Sequence, residues 1–207
     1  MRLIKRLLKR NKKRWAPAHF TGPRPVNVSE VYSEPFNLRS DIARLIKPDG
    51  IGIELGVARG QFSEVLLQRS TLAFLYSVDM WSGDRNHDTE QYKEALQRLD
   101  KYRTRNSCLR MRFDEAVSLF PDEYFDFVYV DGYAHTGEEN GQTFEDWWPK
   151  LKPGGLFAGD DYAPCWPKVV EAVDRFAASK NLKLMLLEPA QQGNKHPPYP
   201  SWLAFKE

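Results

Sequence analysis

The chain predicts an α/β fold, a doubly wound seven-stranded sheet that is mostly parallel with its last strand antiparallel. Three observations carry that prediction. Apolar runs alternate with helical patterns from residue 50 to the end of the chain. The runs have strand length, about 4–8 residues, and are apolar nearly throughout, as strands covered on both faces are. They also end repeatedly on acidic residues, which sets a row of carboxylates along one edge of the sheet.

Each element follows in order. "NLRSDIARLI" reads as an amphipathic helix ended by "KPDG". "GIGIEL" is a buried strand and "GQFSEVLLQRS" its helix; "LAFLYSVD" is the second strand and "DTEQYKEALQRLDKY" a longer helix. "CLRMRF" and "EAVSLF" form a third strand and a short helix, "FDFVYVDG" and "GQTFEDWWPKL" a fourth pair, "GGLFAGDD" and "PKVVEAVDRFAASK" a fifth. "LKLMLLE" and "SWLAFKE" are the last two strands. This alternation implies right-handed crossovers and helices on both faces of the sheet. Ligands of such sheets bind beyond the carboxyl ends of the strands, where strand order reverses. Those ends carry Glu54, Asp79, Asp114, Asp131 and the pair Asp160–Asp161.

Composition narrows the class. With 207 residues, 42% of them hydrophobic, the chain suits one domain with a single substantial core. No apolar run approaches the roughly 18–20 residues of a membrane span. Two cysteines, Cys108 and Cys165, without a CxxC pair, argue against a disulfide framework and a structural zinc site and fit a cytoplasmic setting. The net charge of +2 is uneven: "MRLIKRLLKRNKKR" carries eight basic residues and no acid, which leaves the remainder at about −6. A uniformly basic nucleic-acid-binding domain is therefore disfavoured, as is a nucleic-acid partner. Residues 1–14 form a basic tail with two readings, a peripheral anchor on anionic lipid or an acidic partner, or a solvated terminus. Residues 15–36, with four prolines, read as an irregular lead-in, and residues 37–207 as the domain.

The stretch after the first strand limits the ligand. Gly56 and Gly60 permit close backbone approach, but the pattern Glu54-x-Gly56-x-x-x-Gly60 is not the GxGxxG of pyrophosphate binders. An acid there repels phosphate and suits a ligand with cationic groups, such as S-adenosylmethionine, which has an ammonium and a sulfonium. Asp79, at the end of the second strand, can accept hydrogen bonds from ribose hydroxyls or can cap local backbone.

"IELGVARGQFS", "YSVDMW", "EAVSLFPDEYFDFVYVDGYAHTGE" and "WWPKLKPGGLFAGDDY" together resemble the class I S-adenosylmethionine-dependent methyltransferases, which have a Rossmann-like sheet. The nearest branch is the small-molecule and sugar O-methyltransferase-like group with its DGxH and GGxxxGDDY stretches, of which this chain has DGYAH, one residue longer than the first, and GGLFAGDDY. The resemblance covers about residues 37–207. It implies Glu54, Gly56 and Gly60 around the methionine part, Asp79 on the ribose, and Arg112 to Glu115 near the adenine, with Asp114 on its amine. Trp81 either packs on the cofactor or is a core aromatic.

At the reaction end, an alcohol needs a general base or a metal to act as a nucleophile. Asp131, Asp160 and Asp161 come from adjacent strand ends, and three carboxylates that share a site require a cation between them. Oxygen donors of this kind suit Mg²⁺ or Ca²⁺. Metal-dependent relatives hold their ion with such acids but usually place asparagine where Asp161 stands. Asp131 and His135 are the candidate catalytic residues, with His135 as base or ligand or, alternatively, bonded to Glu138 or Glu139. Tyr133 and Tyr162 are candidate acceptor-pocket residues, His19, His87 and His196 rim or surface residues, and Trp147 and Trp148 core. The expected activity is methyl transfer to a hydroxyl of a small, sugar-like acceptor. The alternative is a cofactor-binding module without turnover, tethered through the basic tail.

Overall fold

The computed structural model describes residues 28–32, 39–83, 87–187 and 199–207. Eight strands form one sheet: β1 (Val28–Tyr32), β2 (Ile51–Leu55), β3 (Phe74–Asp79), β4 (Asn106–Arg110), β5 (Phe125–Val130), β6 (Leu151–Gly159), β7 (Leu184–Leu187) and β8 (Ser201–Phe205). Their spatial order is β1-β7-β8-β6-β5-β2-β3-β4. Every pairing is parallel except those of β8, which runs antiparallel to β6 and β7. The seven expected strands are all present, with the last one antiparallel as expected. The eighth, β1, comes from the segment expected to be irregular and pairs with β7. The basic tail and the first part of the lead-in lie outside the described residues.

The helices are α1 (Gln61–Arg69), α2 (Thr89–Leu99), α3 (Phe113–Ala116), α4 (Gln142–Trp147) and α5 (Pro167–Ser179). Capping and periodicity explain the longer ones. The Asp88 carboxylate accepts from the Gln91 N–H at 2.9 Å and starts α2. A proline at the first position starts α5, whose Val169, Val170, Val173, Phe176 and Ala177 make one buried stripe. The expected helix at "NLRSDIARLI" is instead a 3₁₀ segment, Arg39–Arg44. Strand β4 stops at Arg110, so Asp114 sits in the first turn of α3 and not at a strand end.

Two apolar layers cover the sheet. One side joins Phe125, Phe144, Trp147, Phe157, Phe176 and Trp202, and the other joins Ile42, Leu66, Leu75, Phe127, Tyr129 and Leu203. Along β2, Ile53 and Leu55 belong to the first layer. Glu54, by the period of two, faces the second layer with Tyr129, its neighbour across β5. β2 lies between β5 and β3, so connections leave it on both sides and the order reverses there. That reversal opens a crevice between the loops after β2 and β5.

Phe157 is fully buried among Phe144, Trp148, Phe176 and Trp202, with ring centroids 5.5–6.2 Å apart. Truncation to alanine is expected to lower stability by about 3–5 kcal/mol, read as a fall in the urea midpoint at constant m-value.

Candidate functional site

The loop after β2 is held against the loop after β5 at backbone distance. The Gly56 N–H donates to Val78 O at 2.8 Å, and the Asp131 N–H donates to Leu55 O at 2.7 Å. Gly56 has φ +97°, and a Cβ there would stand 1.7 Å from the Asp131 carbonyl oxygen. Glycine is therefore required twice over, by conformation and by space. Gly60, at φ +74°, leads into α1 against Ala95 and Leu99 of α2.

Asp79 organises this loop from below. One carboxylate oxygen accepts from the N–H groups of Val57 and Ala58, each at 2.9 Å, and the other from the Trp81 N–H at 2.8 Å. The residue is 5% exposed. Three of its acceptor positions thus serve the backbone, the capping alternative of the sequence reading. Trp81 is fully buried, with its ring 4.5 Å from Tyr92 and its indole N–H donating to Ala58 O at 2.7 Å. It is a core residue, the second of its two readings. Asp114 is exposed and engaged by the Arg112 guanidinium at 2.5 and 2.9 Å. Asp79, Trp81, Asp114 and Gly60 do not line the crevice described next.

That crevice is a cleft of about 330 Å³. Its walls are Glu54, the backbone of Gly56–Ala58, Gln61 and Phe62 on one side and Asp131–Ala134 on the other, with Arg39, His87, Asp161 and Trp166 closing it. Glu54 is 1% exposed in relative area, and one carboxyl oxygen accepts from the Ser63 hydroxyl. Its other oxygen, Oε1, is buried with no partner. Burial pushes its pKa up to about 8, against the Ser63 hydrogen bond and the Arg39 charge, while Asp131 and Asp79 raise it further. Ser63 in turn lies 3.1 Å from the Ser77 hydroxyl, which accepts from the Asn106 amide at 2.8 Å. A polar chain thus runs under the loop between β2, β3 and β4.

Arg39 supplies the positive charge. One terminal nitrogen donates to Asp131 at 2.5 Å and the other to Asp160 at 2.9 Å. The guanidinium carbon sits 4.0 Å from the Phe62 ring centre and 5.0 Å from that of Tyr129. Burial works against the charge, but Asp131, Tyr129, Asp160 and Glu54 outweigh it and hold the pKa well above the usual arginine value. Asp160 also accepts from the Ser201 hydroxyl at 2.8 Å. Burial pushes Asp160 up to about 6 although Arg39 pulls it down.

The expected metal set of Asp131, Asp160 and Asp161 is not assembled. Among the described residues no group of three or more His, Cys, Asp and Glu side chains is placed to hold an ion. Asp160 and Asp161 are consecutive at a strand end and diverge: Asp160 meets Arg39, while Asp161, at φ +61°, lines the cleft. The cation between Asp131 and Asp160 is a guanidinium, and the metal expectation is corrected on that donor geometry.

The remaining candidates divide. Tyr133 lines the cleft, and burial raises its pKa to about 12. Tyr162 is instead a core residue whose hydroxyl donates to Asp174 at 2.7 Å. His135 is exposed, its ring edge-on to Trp166 at 4.9 Å, and His87 lines the cleft as a rim residue. Trp147 is fully buried in the core. The sequence reading gave no site role to two residues, Arg39 and Glu138. Arg39 looked like one charge on an amphipathic helix, although the row of acids signalled that a cation was needed. Glu138 lies in a left-handed turn, Gly137–Asn140, and is 3% exposed. Burial first, then Asp131, Asp161 and Glu139, push its carboxyl well above the usual range, and one of its oxygens has no partner.

Against known proteins, residues 53–162 match the family described as a methyltransferase domain, a little over half of the chain. The chain belongs to that family. Its fold is that of the class I S-adenosylmethionine-dependent methyltransferases. No curated protein matches. Among solved structures, an rRNA methylase from Streptococcus thermophilus aligns with a TM-score of 0.59 at 17% identity, over 80% of this chain and 91% of that one. An S-adenosylmethionine-dependent O-methyltransferase from Thermotoga maritima gives 0.61 at 18%, over 81% and 63%. A candidate methyltransferase from Streptococcus mutans, solved in complex with S-adenosylhomocysteine, gives 0.61 at 14%, over 84% and 99%. Their named activities differ, so the shared fold is silent on the acceptor.

Two outcomes are expected. Replacing Asp79 by asparagine removes charge-assisted acceptors from three backbone N–H groups and should cost about 2–3 kcal/mol, seen as a lower melting temperature with unchanged far-ultraviolet circular dichroism. Glu54 holds its proton in the folded state up to about pH 8 but only to its ordinary 4.5 when unfolded. Its contribution therefore weakens the fold progressively as pH rises from about 4.5 to about 8, and Glu54→Gln should flatten that stretch of the stability–pH curve by a few kcal/mol.

Proposed function

We propose that the chain transfers a methyl group from S-adenosylmethionine to a hydroxyl of a small acceptor, with sugars and glycoconjugates as the acceptor class. The observation that carries the cofactor assignment is Glu54 Oε1, a buried carboxyl oxygen without a partner, on a residue of the cleft wall beside Gly56, where no Cβ fits. A carboxyl left in that state awaits a donor, and the ammonium of the methionine part is one. The acids on the walls, Glu54, Asp131 and Asp161, favour a cationic ligand over a phosphorylated one. The apolar faces of Phe62 and Trp166 suit the rest of such a molecule.

When bound, S-adenosylmethionine supplies a sulfonium-activated methyl group. The chain's own residues then have separable roles. Glu54 binds and loses its proton to do so, because a neighbouring cation stabilises the carboxylate. The Gly56–Ala58 backbone orients, held by Asp79. Asp131 faces the cleft from the β5 loop, fixed by Arg39, and accepts a hydrogen bond from the acceptor hydroxyl. His135, which packs edge-on against the cleft residue Trp166 without itself lining the cleft, takes the hydroxyl proton as general base. The sugar-like acceptor rests on the resemblance of "VDGYAH" and "GGLFAGDDY" to sugar-directed relatives.

Calorimetry at pH 7 in buffers of differing ionisation enthalpy should detect S-adenosylmethionine binding with release of close to one proton, a release that Glu54→Gln abolishes. Binding with no proton release by the unaltered protein would remove Glu54 from the site. With a labelled methyl group and a panel of hydroxylated sugars, His135→Ala should lower kcat by about 10²–10⁴-fold and leave cofactor affinity unchanged. Unaltered turnover in that variant would dismiss His135 as base.

A further inference from the structure

We propose that Arg39 is a built-in replacement for a divalent cation at the Asp131–Asp160 pair, a positioning residue that holds both carboxylates beside the cleft. Two carboxylates from neighbouring strand ends repel unless a positive charge lies between them. Here that charge is covalently part of the chain. It reaches Asp131 and Asp160 with separate nitrogens at 2.5 and 2.9 Å, a fork that a lysine or a point ion would not reproduce. Its flat faces are packed on Phe62 and Tyr129, so the group is confined sideways as well as along its hydrogen bonds.

The surroundings are built for a cation at that place and not for a surface ion pair. Asp160 is further held by the Ser201 hydroxyl, Glu54 lies close enough to raise the arginine's pKa, and Asp161 stands on the cleft wall. The two groups that hold the guanidinium are carboxylates, and carboxylate oxygen is the donor chemistry of Mg²⁺ or Mn²⁺ sites. Arg39 also lies before residue 53, outside the span that matches the methyltransferase family. The cation is thus brought by a separate stretch of chain, and an ion from solution is not needed to fix Asp131.

Its value to an acceptor hydroxyl rests on the methyl-transfer reading, but the cation replacement can be tested without cofactor or acceptor, so the two fail separately. Mn²⁺ is titrated into the metal-stripped full-length protein, with the free ion followed by electron paramagnetic resonance. Arg39→Ala, which vacates the space between the carboxylates, is expected to bind one Mn²⁺ about tenfold or more tighter than the unaltered protein. Low concentrations of guanidinium should displace the ion from that variant, and Arg39→Ala combined with Asp131→Asn should lose the gained affinity. Equal Mn²⁺ affinity with and without the arginine would overturn the proposal. Should the alanine variant not fold, Arg39→Gln retains most of the side-chain volume and carries the same expectation. The unaltered protein is decisive alone in one direction: tight Mn²⁺ uptake that Asp131→Asn abolishes would show that arginine does not fill the cation's place.

Discussion

A guanidinium clasped between Asp131 and Asp160 is the interaction on which the functional end of this molecule depends. A parallel sheet whose strands end on acids concentrates negative charge at one edge, and the helices and loops above that edge shield it partly from water. Carboxylates in that position either bind a proton or face a cation. The chain uses both solutions: Arg39 pairs with Asp131 and Asp160, and burial favours the protonated form of Glu54 and Glu138. Loss of one partner of such a pair leaves an uncompensated charge, a cost of about 3–5 kcal/mol in buried settings. Four parts of the fold meet at this one side chain: the 3₁₀ segment that carries it, α1 through Phe62, β5 through Tyr129 and Asp131, and the end of β6 through Asp160.

The second constraint is the close approach of the β2 and β5 loops at Gly56. Because no side chain can stand at Gly56, the two loops meet there backbone to backbone, and Asp79 fixes the wall that follows by accepting the N–H groups of Val57 and Ala58. Below the wall the chain Glu54, Ser63, Ser77, Asn106 satisfies polar groups that would otherwise be stranded among apolar residues. Glu54 is the exception, with one buried oxygen left without a partner behind the cleft wall. On the proposed reading, the fold prepares an oriented acceptor for a cationic ligand before any ligand arrives, which is the preorganisation that binding sites use to limit ordering costs.

Much of this was legible in the sequence, because burial on both faces makes parallel strands nearly continuous apolar runs, and all seven such runs became strands. The reversal of strand order and the acids around it followed from the same pattern. Strand β1 was hidden: "VSEVY" stands among prolines and polar residues, and its pairing with β7 is a tertiary event with no local signal. Asp114 was misplaced because "CLRMRF" remains apolar for a turn after the strand has ended. Asp160 and Asp161 looked like a chelating pair, yet consecutive residues at a strand end point in different directions. Trp81 and Asp79 show the limit of residue type: an aromatic and an acid at a ligand-binding edge are equally suited to support the loop that binds. Arg39 was beyond reach altogether, since the demand for a cation was readable and its supplier, 92 residues from Asp131, was not.

The most direct test is a crystal structure of the full chain with S-adenosylhomocysteine. The account predicts the amino-acid end of the ligand against Gly56–Ala58, its ammonium within hydrogen-bond distance of Glu54, and the Arg39 bridge to Asp131 and Asp160 intact. A ligand seated away from the β2–β5 crevice, or Glu54 still unpartnered beneath it, would contradict the account.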